Sequence, residues 1–300
     1  MIQIPIESMN LMLLNVGRAQ HNADWNWQNV SSPFTRIYYV MEGEAVVHLP
    51  KLSLQRSEAL PTTEQDVRLR PRHMYIIPAY TVHSYECHGL FDHYYLHVYE
   101  GFKNEMNLQE VYELPFEVEG SEAAANVFEH LCNRLPDARL PHSDPNSYDT
   151  SAQTSDYVQH YRDMALWEKM ELRGAMLMVM SRFIREAKPR VWTHDERMKR
   201  VLEHIHAHIN DSIEEEQLAS VACVTKPYFI KMFKREFGVP PVQYINRKKV
   251  ERAQLLLFTT NKTVKEVAYT LGFSDQNYFI RMFRKHTDTT PKEYRRRLCL

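Results

Sequence analysis

The sequence predicts a multidomain protein with an all-β N-terminal part, flanking helices and an all-α C-terminal part. Three observations support this prediction. Short apolar runs between turn residues fill the first hundred residues, apolar residues recur at helical spacing from residue 195 onward, and one basic, aromatic segment occurs twice near the C-terminus. A chain of 300 residues has room for about two domains, each with its own core.

The N-terminal part contains β-branched and aromatic runs punctuated by turns. Residues 34–49 form two such runs around Glu42-Gly43-Glu44, which predicts a hairpin. Further runs of this kind lie at 67–69, 74–77 and 91–99. Several short strands with such punctuation favour an antiparallel barrel or sandwich.

Helical segments follow. Apolar spacing predicts one helix over 121–135 and a long one over 156–187, with a methionine-rich stripe that includes Trp167, Met170 and Gly174. That stripe suits packing onto the barrel or a helix-on-helix dimer face, and both interpretations stay open. The predicted helices of the all-α part are 195–209, 214–222, 226–236, 241–258, 264–270, 275–286 and 291–297.

The charge is unevenly distributed. Residues 195–300 hold 20 Lys+Arg against 13 Asp+Glu, whereas residues 1–194 hold 17 against 25, so only the C-terminal part suits a polyanion. The 44% hydrophobic content, the lack of a long uncharged apolar stretch and the lack of a signal-peptide pattern predict a cytoplasmic protein with no membrane partner. The four scattered cysteines predict reduced thiols.

The repeated segment is the most informative feature. Tyr228 to Arg235 returns 50 residues later as Tyr278 to Lys285, with five identical positions and three exchanges of one cation for another. Each copy fits the second helix of a helix-turn-helix motif. In the second copy Gly272 supplies the turn and Ser274 the N-cap. The first copy has Cys223 and Thr225 in these roles, with a turn one residue shorter.

The outward residues near each helix start are those that a DNA major groove would meet. They are Lys226, Pro227, Ile230 and Lys231 in the first copy, and Gln276, Asn277, Ile280 and Arg281 in the second. Arginine suits guanine and the two amides suit adenine, so the second copy has the better readout groups. Lys234, Arg284 and Lys285 lie one turn further along and suit phosphates. Double-stranded DNA is therefore the predicted partner.

Segment 241–258 separates the two copies. At about 1.5 Å per residue, a helix of this length spans about 27 Å, which approaches the roughly 34 Å between successive major-groove segments on one face of DNA. A single chain can therefore read two adjacent grooves.

The string Gly272-Phe273-Ser274-Asp275-Gln276-Asn277-Tyr278-Phe279, followed by Phe283, Pro291 and Tyr294, is the most specific part of the C-terminal region. The region 195–297 resembles the AraC/XylS family of bacterial transcription regulators. The resemblance implies a regulator, an activator rather than a repressor, that works as a homodimer with RNA polymerase as a further partner. Asp288 stands where the family usually has the glycine that is present here as Gly238.

The N-terminal part resembles the family's cupin-like sensor domain at Met41-Glu42-Gly43-Glu44, Ile76-Ile77-Pro78 and His83. The resemblance implies a barrel over 1–118 that binds a small, polar effector, a helical extension and linker over 119–194, and a DNA-binding domain over 195–300. It places Glu42, Tyr85, Tyr95 and His97 in the pocket, and strand alternation adds Arg36, Tyr38 and His93.

No catalytic residue, metal or cofactor is predicted. His48 is followed by Leu49-Pro50 and not by the second histidine of a cupin metal site. An enzyme, such as a cupin isomerase or dioxygenase joined to a DNA-targeting domain, needs that ligand set complete. The other alternative is a regulator whose barrel only dimerises and binds no ligand.

Overall fold

The computed structural model describes residues 9, 11–50, 64–100, 108–140, 142–145, 161, 163–190 and 195–297. The strands of the first hundred residues are β1 (Leu11–Asn22), β2 (Trp27–Val30), β3 (Thr35–Gly43), β4 (Ala45–Pro50), β5 (Glu64–Leu69), β6 (His73–Ile77), β7 (His83–Glu86) and β8 (Leu90–Glu100). Next come α1 (Leu108–Val111), β9 (Tyr112–Glu113), β10 (Glu117–Glu119), α2 (Glu122–Arg134), a 3-10 turn (Pro136–Ala138), α3 (Leu166–Glu186) and β11 (Lys188–Pro189).

Two antiparallel sheets form the N-terminal body. One has the strand order β1-β8-β3-β6-β10 and the other β2-β7-β4-β5, and a short ladder pairs β9 with β11. The all-β prediction is confirmed, but the predicted hairpin over 34–49 is wrong, because β3 and β4 belong to different sheets. Gly43 makes the crossing with φ of 77°, where a Cβ would lie 1.8 Å from the carbonyl oxygen of Leu90.

The five-stranded sheet is buried on both faces. Its inner face meets the four-stranded sheet in an aromatic core that includes Trp25, Tyr75 and Phe91. Its outer face is covered by α2 and α3, with Phe128 and Phe183 fully buried against it. The alternation of side chains along each strand thus feeds two cores instead of one core and a solvated face.

Helix α3 mainly buries a different stripe from the predicted one, although Leu177 and Ile184 of the predicted stripe are partly buried against the same core. The residues packed on the sheet are Leu172, Ala175, Met176, Val179, Met180 and Phe183. The side chains of Trp167 and Met170 are 61% and 66% exposed, and Gly174 faces open space. The part of the predicted helix before residue 161 lies outside the described residues.

The C-terminal part consists of helices with the predicted order and nearly the predicted bounds. They are α4 (Glu196–Ala207), α5 (Glu215–Val221), α6 (Lys226–Phe237), α7 (Pro241–Thr259), α8 (Val264–Thr270), α9 (Gln276–Thr287) and α10 (Pro291–Arg297). Two separate apolar cores form here. The first is centred on Phe229 and Phe233 and the second on Phe279 and Phe283, and α7 contributes to both. The predicted all-α domain is confirmed.

The N-terminal body contacts the C-terminal helices mainly along α7. Glu110 of α1 lies 2.7 Å from Lys248 Nζ and 3.2 Å from His206 Nε2, and it accepts a hydrogen bond of 2.9 Å from the hydroxyl of Tyr244. Burial alone would raise the pKa of Glu110, but the interactions with His206 and Lys248 hold that pKa well below its usual range. From the barrel, the Tyr80 hydroxyl donates to the carbonyl of Glu251 at 2.8 Å.

Candidate nucleic-acid interface and barrel interior

The turns of the two helix-turn-helix units share one backbone hydrogen bond and one left-handed residue. In the first unit, α5 and α6, the amide of Val224 donates to the carbonyl of Ala219; in the second unit, α8 and α9, Phe273 donates to Ala268, and both distances are 3.0 Å. Cys223 and Gly272 occupy the equivalent left-handed position, with φ of 56° and 70°. From this residue to the N-cap, the first turn is one residue shorter, as predicted.

The N-cap of α9 is Asp275 and not Ser274. Its carboxylate accepts hydrogen bonds from the amides of Asn277 at 2.9 Å and Tyr278 at 3.1 Å. These amides have no partner within the helix, so the carboxylate satisfies them and opposes the positive end of the helix dipole. In the first unit Thr225 is the N-cap residue as predicted, but its hydroxyl makes no capping hydrogen bond, and Pro227 occupies the second helical position.

The burial of the two reading helices matches at eleven of twelve equivalent positions, the exception being Glu236 against the more exposed His286. Phe229, Met232 and Phe233 are buried in α6, and Phe279, Met282 and Phe283 in α9. The exposed predicted residues are Pro227, Lys231 and Lys234 in the first helix and Asn277, Arg281, Arg284 and Lys285 in the second. The structure therefore places these side chains on the solvent side of each helix.

Four other predicted residues are less open than expected. Lys226 and Gln276 are half-buried, and Lys226 Nζ lies 2.7 Å from Glu216 and 3.4 Å from Glu215. Ile230 and Ile280 are also half-buried, and each packs against the core of its own unit. The isoleucines thus help hold the helices in place.

Two exposed tyrosines belong to the same surface and were missed. Tyr228 and Tyr278 are 50% and 46% exposed at equivalent positions of the two helices. Each directly precedes a buried phenylalanine, and at about 100° per residue its direction could have been inferred from the helical period.

The barrel interior holds six of the seven predicted pocket residues. Arg36, Tyr38, Tyr85, His93, Tyr95 and His97 are all less than 7% exposed. Glu42 is exposed, so its predicted interior position is wrong. The register of β3 against β8 shifts between Val40 and Glu42, and this bulge turns Glu42 away from the interior, where the family resemblance had placed it.

The interior side chains contact one another. Arg36 Nη1 lies 3.3 Å from His97 Nε2, and Arg36 also donates to the hydroxyl of Ser32. The hydroxyl of Tyr85 is 2.7 Å from that of Tyr38 and 2.7 Å from His83 Nε2. Four of the predicted residues are thus joined in two polar groups, Arg36 with His97 and Tyr38 with Tyr85.

Aromatic rings fill the space between them. Trp25 stacks on Tyr85 with 4.0 Å between ring centroids, and His93 stacks on Phe91 at 4.5 Å. Trp25 was missed, since it lies between β1 and β2, outside any alternating run. His83 marked a strand corner in the sequence, and the structure places it 3% exposed beside Tyr85.

The interior histidines are held neutral. Burial lowers the pKa of His93 to about 3, and burial together with the charge of Arg36 lowers the pKa of His83 to about 3 and that of His97 well below its usual value. A neutral imidazole donates a hydrogen bond at one ring nitrogen and accepts one at the other. Among the described residues, the interior therefore presents polar groups with one fixed cation, Arg36.

Within the described ranges, no three His, Cys, Asp or Glu side chains come together as a metal-binding group. None of the described helices is both long enough and apolar enough to cross a membrane.

The C-terminal part is similar in sequence to known proteins. A family described as a helix-turn-helix domain matches residues 218–297. The regulatory protein PocR of Salmonella typhimurium is 34% identical over 105 residues, which are 35% of this chain and 35% of that protein. The arabinose operon regulatory protein of Escherichia coli is 32% identical over 104 residues, covering 34% and 35% of the two chains.

Coverage limits the comparison to this part. The chain spans 34% to 41% of the length of the first curated relatives it matches. Among solved structures, ToxT from Vibrio cholerae aligns over 97% of this chain and 98% of its own, at 12% identity and a TM-score of 0.49. The resemblance found in the sequence is confirmed where the relatives align: the matched residues 218–297 form an AraC-type helix-turn-helix domain.

Proposed function

We propose that the protein is a sequence-specific DNA-binding transcription regulator, an activator, without enzymatic activity. The observation that carries the proposal is the matched solvent-facing surface of α6 and α9. Both helices expose cations and a tyrosine at equivalent positions and bury the same three apolar positions. Helices that only face solvent do not require the same residue types at equivalent positions. Two helices that enter successive major grooves do.

The two helices have different roles in this proposal. Arg281, Asn277 and Gln276 read bases from α9. In α6, Pro227 and Ile230 give apolar contact and Lys231 gives one cation. The positive charge of Lys226 is partly balanced by the carboxylates of Glu215 and Glu216. Lys234, Arg284 and Lys285 contact phosphates and set the position of each helix along the duplex.

Selection from a pool of random DNA duplexes tests the proposal. The full chain is expected to enrich one sequence with two contacted segments about one helical turn apart, in which the segment read by α9 is more strongly specified. Failure to enrich any sequence, with DNA binding that depends only on salt, would overturn sequence-specific regulation.

The N-terminal body is proposed to bind a small, polar effector in the barrel, between Arg36, Tyr38, Tyr85, His93, Tyr95 and His97. Its support is the set of buried polar groups on facing strands, including a guanidinium suited to a carboxylate or phosphate. In a thermal-shift screen of sugars, amino acids and organic acids, a ligand at 100 times its Kd is expected to add about 2.7 kcal/mol of stability. Arg36→Met should abolish the shift.

One observation favours a second candidate, in which the barrel binds no ligand and serves dimerisation. The interior positions are occupied by the chain's own stacked rings, as in the contact of 4.0 Å between Trp25 and Tyr85. A screen in which no compound shifts the unfolding temperature, with a dimer present throughout, would favour this candidate.

The barrel and DNA-binding region are proposed to occupy 1–118 and 195–300, with the helical part 119–194 between them. We also propose a homodimer, which is supported by the exposed apolar residues Trp167 and Met170 on α3. RNA polymerase is the proposed further partner. The proposed location is the cytoplasm. Sedimentation of the Trp167→Glu, Met170→Glu variant tests the dimer, which these charges should dissociate.

A further inference from the structure

One buried lysine joins the two helix-turn-helix units. Lys249 lies on α7, between Ile245 in the first core and Val250 in the second, and is 5% exposed. Its Nζ donates to the carbonyl of Asp211, in the loop between α4 and α5, at 2.7 Å. It also donates to the carbonyl of Leu271, at the end of α8, at 2.8 Å. The two acceptors belong to different units.

The units also touch directly beside this lysine. A Cβ at Gly272 would lie 2.5 Å from the carbonyl oxygen of Asn210 and 2.8 Å from the carbonyl carbon of Asp211. The turn of the second unit therefore rests against the backbone of the first, at a distance that only glycine permits. Helix α7 is thus not the whole connection between them.

A charged group at this position is energetically costly. Burial lowers the pKa of Lys249 to about 8, which reflects the loss of hydration of its ammonium group. An apolar side chain would avoid that cost but would leave two carbonyls, one from each unit, without this donor. Because the two apolar cores are separate, the hydrogen bonds that join the two units here are polar contacts made by Lys249.

We propose that Lys249 is a positioning residue that fixes the orientation of α9 relative to α6, and with it the spacing of the two groove segments that the chain accepts. The proposal rests on the proposed DNA-binding function for its consequence, but its structural part does not require DNA. If α7 were the whole connection, the units could bend about it. The hydrogen bonds of Lys249 and the contact at Gly272 add to α7 and fix the orientation of the two reading helices relative to each other.

A distance measurement without DNA tests the structural part. Spin labels are placed on the exposed positions Ser220, in the first unit, and Lys292, in α10, which packs against the core of the second unit, in a Cys223→Ser, Cys299→Ser background. The wild-type lysine and Lys249→Arg, which keeps donors for both carbonyls, should give a narrow distance distribution, and Lys249→Met a distribution at least about twofold broader. Equal widths for all three would overturn the proposal. If Lys249→Met does not fold, Lys249→Gln, which reaches at most one carbonyl, takes its place.

A spacing measurement tests the consequence. The probe is the duplex selected from the random pool by the wild-type chain, with and without one base pair inserted between its two contacted segments. The insertion should weaken wild-type binding by about tenfold or more and Lys249→Met binding by about threefold or less, because a flexible pair tolerates both spacings. Lys262→Met, which removes an exposed loop lysine, controls for the lost charge and should keep the wild-type ratio.

The outcomes separate the two proposals. If the insertion weakens Lys249→Met as much as wild type, the positioning role fails while sequence-specific binding stands. If the pool yields no duplex, the proposed function fails, and the distance distributions still decide whether Lys249 fixes the units.

Discussion

At the scale of single residues, two exposed cations separate base contact from phosphate contact. Arg281→Ala should relax the preference at one base pair and cost about 1 to 3 kcal/mol on the preferred sequence, because a bidentate contact to guanine is lost. Lys234→Ala should weaken all sequences alike and lower the salt slope by about 1, because one phosphate contact is lost.

Competition binding against single-base variants at three salt concentrations distinguishes the two effects. Equal effects of both substitutions on specificity would contradict the assignment of their faces.

A second residue-scale prediction concerns the left-handed positions that end the reading helices. Gly238 has φ of 75° and Asp288 has φ of 57°, and each amide donates to the carbonyl four residues earlier at 2.9 Å. A Cβ at Gly238 meets nothing within 4 Å, so Gly238→Ala isolates the backbone cost and should destabilise by about 1 kcal/mol. Asp288→Gly should stabilise by up to about 1 kcal/mol.

Urea unfolding of both variants measures these changes. A neutral Gly238→Ala together with a destabilising Asp288→Gly would show that side-chain contacts, and not backbone strain, decide these positions.

At the scale of elements, the N-cap of α9 is the sharpest case. Asp275→Ala removes the acceptor for two amides and should cost about 1 kcal/mol, whereas Ser274→Ala, one position earlier, should change stability by less than about 0.5 kcal/mol. Thermal unfolding of the two variants side by side checks this. A larger loss for Ser274→Ala would return the capping role to the serine.

The helices of the C-terminal part could be predicted because local signals agree there. The bounds of α8 follow from Thr263, whose hydroxyl accepts from the amide of Glu266 at 3.2 Å, and the turns carry Gly238 and Gly272. The choice between Ser274 and Asp275 failed because both side chains can cap a helix, and only the backbone direction decides which one reaches the amides.

The barrel was less predictable because its geometry depends on pairing between distant strands. Alternation placed Arg36 and Tyr38 inside correctly, but the bulge after Val40 that exposes Glu42 arises from the register against β8. The same holds for the crossing at Gly43 and for the buried stripe of α3, where several apolar stripes were available and the sheet selected one.

At the scale of the whole molecule, the neutral interior histidines predict acid sensitivity. His83 and His93 have pKa values lowered to about 3, and burial also lowers the pKa of His97 well below its usual range. Between about pH 3 and pH 6.5 the unfolded chain binds more protons than the folded one, so stability rises with pH and is lost as pH falls through this window. Each such histidine contributes a slope of at most about 1.4 kcal/mol per pH unit.

Urea unfolding at pH 7.5, 6.0 and 5.0 measures the slope. His93→Phe should flatten it, while His142→Gln, at an exposed histidine, should leave it unchanged. His48 acts in the opposite direction, since hydrogen bonds to Asp66 and Glu86 raise its pKa, so its stabilisation is complete below pH 6.5 and fades above. A His93→Phe slope as steep as that of wild type would place the acid sensitivity elsewhere.

The contact of Glu110 with Lys248, His206 and Tyr244 has a thermodynamic corollary. Any free energy by which this contact favours or opposes DNA on the reading helices must be returned by the DNA, with the same sign and size, to the contact itself. If Glu110→Gln changes the DNA affinity tenfold, the factor by which DNA shifts the equilibrium between attached and detached N-terminal bodies must also change tenfold. The promoter would then act as an allosteric ligand of the barrel.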